Sequence, residues 1–350
     1  MRKRIALISA AALVLLVASG GAWWCHGHDR TTLQQAVALA PPDAERLSWT
    51  DWAAVRRETG AHLSAGSSVA DLRRFLDKGY DADLTSTSAL VQSAPVLQEK
   101  FGFSPASADW ELFSQSPRGA VVMIHLPDGT DFDAIGDRLA EVGYTRPSSD
   151  TGVWLGGEDL MNSIGPDLTP ELQYVALDRD DGMVLTSDNA GYLAEAVDEL
   201  HHGGGASGEL DEVVDASGEP LSASIYSGDY TCSALAMSQA DQADQSTADR
   251  LLQEAGEVNP ISAFAMSVQP DRHVKVVMAF ETDDQAKTNA DTRLTLAKGP
   301  APGQGGDFSD RFSVRSVTAD GTLVTMDLVP RPDQYVLSDL STGPLLFATC

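Results

Sequence analysis

Two stretches of this chain follow the same order of elements, and that order restricts the fold more than any other feature. Residues 120–126 (AVVMIHL) are a nearly continuous apolar run, which predicts a central strand. Asp131 or Asp133 then opens a helix over 132–142, and Gly143 stops it. A short strand over 153–155 follows. Residues 172–178 and 183–187 form a hairpin across an Asp-Gly turn, and Asp188 caps a helix over 191–200. The order returns later: a strand over 273–281 (HVKVVMAFE), a helix over 283–297, a hairpin of 312–318 with 322–329, and a closing helix over 332–340. This predicts an α+β fold with two tandem strand–helix–hairpin–helix modules, each with its own antiparallel sheet.

The remaining segments fit around these modules. Residues 31–118 read as mainly helical. Thr50 caps a helix carrying Trp52 and Val55, Ser67 or Ser68 caps one carrying Leu72, Phe75 and Leu76, and a third spans Leu90 to Phe101 with a bend at Pro95. Ser104-Pro105 looks like the start of a fourth, bearing Trp110, Leu112 and Phe113. Residues 201–219 form a glycine-rich linker, so the modules occupy 119–200 and 220–350. Residues 221–227 are a candidate strand and 247–254 a helix within the second.

The first thirty residues carry a different signal. Arg2, Lys3 and Arg4 precede residues 5–24, which contain no charge and, as a helix, are long enough to cross a bilayer. The basic residues stay inside, so the expected topology is a single-pass signal-anchor over 1–30 with an extracytoplasmic body. Trp23 and Trp24 suit the outer interface and favour retention. The small residues Ala18 to Ala22 leave secretion after cleavage as the alternative.

Charge narrows the partners. The chain has 24 Lys and Arg against 51 Asp and Glu, a net −27. Residues 1–30 hold four basic residues and only Asp29 of the acidic ones, so the body carries −30. Such a body repels nucleic acid and anionic headgroups. The hydrophobic content of 43% is enough for a large core. In an exported compartment Cys232 and Cys350 invite one disulfide, which would tie down a terminal segment that otherwise frays.

No catalytic pattern survives inspection. There is no G-x-S-x-G elbow, phosphate-binding loop, dinucleotide fingerprint or HExxH, and His62, His125 and His273 are scattered. Cys25, His26 and His28 offer three metal ligands without a fourth, and His201-His202 beside three glycines reads as a polar loop tip. Two acidic clusters, Asp128/Asp131/Asp133 and Asp178/Asp180/Asp181, supply oxygen ligands but do not fit an EF-hand, so capping and turn roles are expected. No metal or cofactor is expected. Trp49, Trp52 and Trp110 are the candidates for a partner or ligand surface, against the plainer reading of large core residues.

At residues 41–60 (PPDAERLSWTDWAAVRRETG) and 171–188 (ELQYVALDRDDGMVLTSD) the chain resembles a group of actinobacterial envelope proteins of unknown function. The resemblance covers most of the body and implies no catalytic residues. The expected function is a non-enzymatic module that binds a protein, lipid or glycan of the cell envelope. The alternative is an envelope hydrolase with an unrecognised carboxylate site.

Overall fold

The computed structural model describes residues 30–202, 205 and 208–350. Helix α1 (Thr32–Val37), closed at its start by a Thr31–Gln34 capping box, leads to strand β1 (Arg46–Thr50). Next come α2 (Trp52–Glu58), capped by the Asp51 carboxylate, and α3 (Val69–Asp81), capped by Ser68. Helix α4 (Ala94–Val96) runs on into a π-helical turn, Leu97–Phe101, which ends at Gly102. The hairpin β2 (Trp110–Ser116) and β3 (Gly119–His125) is followed by α5 (Phe132–Val142), β4 (Val153–Leu155) and α6 (Glu158–Ile164). A second hairpin, β5 (Tyr174–Asp178) and β6 (Met183–Ser187), precedes α7 (Ala190–His202). After it come α8 (Glu209–Ser217), β7 (Ser222–Ser227), α9 (Gly228–Leu235) and α10 (Gln242–Ala255). The chain ends with β8 (Ala263–Val268), β9 (Val274–Ala279), α11 (Asp283–Leu296), β10 (Phe312–Asp320), β11 (Leu323–Pro330) and α12 (Val336–Leu340).

The eleven strands among the described residues form one antiparallel sheet, in the order β10-β11-β9-β8-β7-β1-β2-β3-β6-β5-β4. This overturns the expected pair of modules with separate sheets. Outward from the centre, β1, β2, β3, β6 and β5 on one side answer β7, β8, β9, β11 and β10 on the other. The two halves meet where β1 pairs with β7, with Ser48 opposite Ser224. The predicted boundary at 119 falls between β2 and β3, inside the first half, whereas that at 220 falls just before β7. The region 31–118 is not mainly helical either, because it contains β1 and β2, and Trp110–Ser116 forms a strand where a helix was expected.

In β1–β3 and β5–β9 both faces of the sheet are buried, which explains the misreading. One face carries Leu47, Trp49, Leu112, Met123, Ile225 and Ala265 under α1, α7 and α8. The other carries Phe113, Ile124, Tyr226, Phe264, Met266 and Met278 beneath residues of α2, α3, α5, α11 and α12. A strand covered on both sides loses the alternation of polar and apolar residues that marks a half-exposed strand.

The edges differ. At one end β4 is only three residues long, and an isolated bridge from Thr145 to Leu155 covers its free side. At the other end β10 pairs only with β11, and its register breaks between Val314 and Ser316, leaving Arg315 as an extra residue.

Cys232 on α9 and Cys350 are joined by a disulfide, with Cα atoms 5.5 Å apart and a sequence separation of 118. The expected membrane-spanning segment at residues 5–24 lies outside the described residues, as do Cys25, His26 and His28. Among the described residues no helix is long and apolar enough to cross a membrane.

Candidate binding cleft

A cleft of about 530 Å³ opens between the loop after α2, the segment 102–109 and the β3–α5 connection. That volume lies within the range of small-molecule sites. Its walls are apolar at Leu63, Ala106, Leu126, Pro127 and Ile135, and charged at Arg56, Asp109, Asp131 and Arg138. Helix α2 places Arg56, whose Nη1 donates to the carbonyls of Pro105 and Ala108 at 2.8 and 2.7 Å. Burial pulls the Arg56 guanidinium below its usual pKa, while the carboxylates of Asp109 and Asp51 push the other way. Gly102 forms part of the wall with φ of 87°. A Cβ there would lie 2.8 Å from Cδ of Arg138, so the close approach requires glycine.

Asp109 ties the cleft to the sheet. Its Oδ2 lies 3.2 Å from Nδ1 of His125, and the His125 ring stacks on Trp110 with centroids 5.3 Å apart. The ring is thus held between the Asp109 carboxylate and the Trp110 indole. His273 sits far along the chain between Asp271 and Asp327, at 3.4 and 3.5 Å.

The three candidate tryptophans do not form a surface. Trp49, Trp52 and Trp110 are 1%, 0% and 6% exposed. Trp49 ends on β1 and Trp52 starts α2, so their spacing of three does not place them on one helical face. Trp49 packs against Trp110 on one side of the sheet and donates to the carbonyl of Pro220 at 3.0 Å. Trp52 lies on the opposite side and donates to Glu111 at 3.0 Å. The plainer reading, large core residues, describes all three.

Two carboxyl groups are displaced far from their usual range. Glu111 is held up to about 7 by burial, against hydrogen bonds from Ser88, Trp52 and the backbone N–H of Ala89. Asp83 is also held up to about 7 by burial, and it accepts from the backbone N–H groups of Leu337 and Ser338 at 2.7 and 3.0 Å. Each is saturated by its own donors, Glu111 inside the core and Asp83 at the start of α12. They share no partner, so the paired carboxylates of an acid–base site do not arise from them.

Several members of the acidic clusters take part in local structure. Asp131 accepts from Ala134 N–H at 3.0 Å at the start of α5, and Asp133 pairs with Arg179 at 2.6 Å. Oδ1 of Asp178 accepts from the N–H groups of Asp180 and Asp181, both at 3.1 Å, holding the β5–β6 turn. The cleft itself escaped the sequence reading. Arg56, Asp109 and Arg138 follow no motif, and only the fold brings them to one place.

No protein-family profile matches this chain, and no curated protein matches it. Among solved structures it is similar to TP0453 in crystal forms I and IV, at 6% and 8% identity, over 87% of this chain and 96% of that one, with a TM-score of 0.43 for each. Crystal form III gives 0.38 at 6% identity, over 87% of this chain and 97% of that one. Likeness at this level carries no argument about function.

Proposed function

We propose that residues 30–350 act outside the cytoplasm as a non-enzymatic binding module of the cell envelope, as the actinobacterial resemblance also implies. The observation that carries this reading is the cleft beside α5. It combines an apolar floor with two guanidinium and two carboxylate groups, the pattern of a site that seats an apolar portion and orients a polar head. The ligand is a component of the envelope, drawn from its proteins, lipids or glycans. The disulfide supports an oxidising compartment for the body.

Ala134 is exposed on α5 and lines the cleft, so Ala134→Trp fills the space without touching the core. Full-length protein purified from its own envelope should carry a bound component visible by native mass spectrometry. The variant should carry at least about tenfold less, taking the loss of roughly 1.4 kcal/mol as the smallest effect of a blocked site. Equal retention by both proteins, or chemical turnover of the retained component, would refute the proposal.

A further inference from the structure

The β5–β6 turn and the end of α7 come together at a place neither cluster suggested alone. Asp178 is the last residue of β5 and is 97% shielded, with 3% exposure. Its Oδ1 is occupied by the turn, but its Oδ2 is buried and has no hydrogen-bond partner among the described residues. That oxygen lies 3.0 Å from Nε2 of His201, in the last turn of α7. Because the two do not meet hydrogen-bond geometry, their closeness is not explained by an N–H donated to the carboxylate. Asp181 completes the group: one ligand atom from each of Asp178, Asp181 and His201 lies within 4.8 Å of the other two.

Apart from His201, which pairs with Asp178 only when protonated, no cation reaches this carboxylate among the described residues. Arg179 is turned to Asp133, and His202 pairs with Asp198 on its own helix at 3.4 Å. A buried carboxylate oxygen left without a donor carries a desolvation penalty of about 1–3 kcal/mol. A cation between the oxygen and the imidazole removes it. With metal–ligand bonds of about 2.1 Å, neighbouring ligands lie about 3.0 Å apart in octahedral and about 3.4 Å apart in tetrahedral geometry, so Oδ2 and Nε2 are close enough to share one ion.

We infer that Asp178, Asp181 and His201 form a binding site for a divalent first-row transition-metal ion such as zinc. The donor set decides the class. Calcium and magnesium take oxygen ligands almost alone, whereas an imidazole beside two carboxylates suits zinc, cobalt or manganese. Asp178 is the buried anchor, fixed by its turn. Asp181 and His201 are partly open to solvent, so the remaining coordination positions face outward and can take water or a ligand.

The test uses full-length protein stripped with a chelator, in a Cys25→Ser, His26→Ala, His28→Ala background that removes the other cluster of ligands. Zinc titrated by calorimetry should bind at one equivalent in this background and raise the thermal midpoint. His201→Ala and Asp181→Asn should each weaken binding at least about tenfold and abolish the rise. Both side chains are exposed, so the metal-free thermal midpoints of the three proteins should agree, which separates loss of the site from loss of the fold. Equal zinc binding in all three would overturn the inference. So would no binding in the parent, or binding of calcium in place of zinc.

Discussion

At the scale of single residues, Glu111 is the group whose surroundings oppose one another most strongly. Its three donors favour the carboxylate, but complete burial favours the acid and wins, holding the group up to about 7. In the unfolded chain the same group titrates near 4.5. The folded state therefore binds this proton more tightly. The stability it contributes is fully present below about 4.5 and is lost as pH rises through about 7. The gap corresponds to roughly 3 kcal/mol at about 1.4 kcal/mol per unit. Glu111→Gln cannot titrate, so urea unfolding of wild type and variant should give a stability difference that shrinks by about this much between pH 4.5 and 8. Any fixed effect of glutamine cancels in the comparison, and an unchanged difference would show that folding does not raise the Glu111 pKa. Asp83, also raised to about 7, titrates in both proteins and does not alter the difference. None of this was legible in the sequence, where Glu111 is one acidic residue among 51.

At the scale of elements, the C-terminal segment is tied down twice. The disulfide holds Cys350 to α9, and Arg293 of α11 donates from Nη1 to the carbonyls of Phe347 and Thr349. Arg293 is fully buried, and among the described residues it has no carboxylate partner. Its other donors go to Asn289 Oδ1 at 3.2 Å and the Asn259 carbonyl at 2.6 Å. Burial pulls its pKa down, while carbonyl oxygens on every side stabilise the charge. Breaking the disulfide removes the other tie. With a sequence separation of 118, the chain-entropy model puts the loss at about 5 kcal/mol. Reduction, or Cys232→Ser, should lower urea stability on that order, and a change below about 1 kcal/mol would show that Arg293 and its partners suffice. The bridge was readable from cysteine arithmetic. The helix over Phe132–Val142 and the strands Val153–Leu155 and Met183–Ser187 were also readable to the residue, because capping aspartates, glycine stops and an Asp-Gly turn mark their ends. Strands β1 and β8 were not. RLSWT and AFAMSV are short and buried on both faces, so they lack the alternation that separates strand from helix.

At the scale of the molecule, the central pairing of β1 with β7 makes the two halves one body. A recurring order of elements was visible along the sequence, but its meaning was not. Periodicity reports which residues face a core, and says nothing about whether two such cores share a sheet. That depends on long-range pairing, such as Leu47 opposite Ile225, which leaves no local trace. The cleft was hidden for the same reason, since its charged groups come from α2, α5 and the segment preceding β2.

The break at Arg315 has a consequence for solubility. A single sheet of this length has only two free borders, and a border strand with unpaired N–H and C=O groups is a template for another chain. Strand β4 is too short to serve. Strand β10 is nine residues long, and the extra residue at position 315 bends it and spoils its repeat. Removing Arg315 restores the register, flattening the border and deleting a positive charge. The shortened protein should remain folded by circular dichroism but elute as dimers or larger species at concentrations where the wild type is monomeric. An unchanged elution volume would mean that the side chains of β10, rather than its kink, keep copies apart.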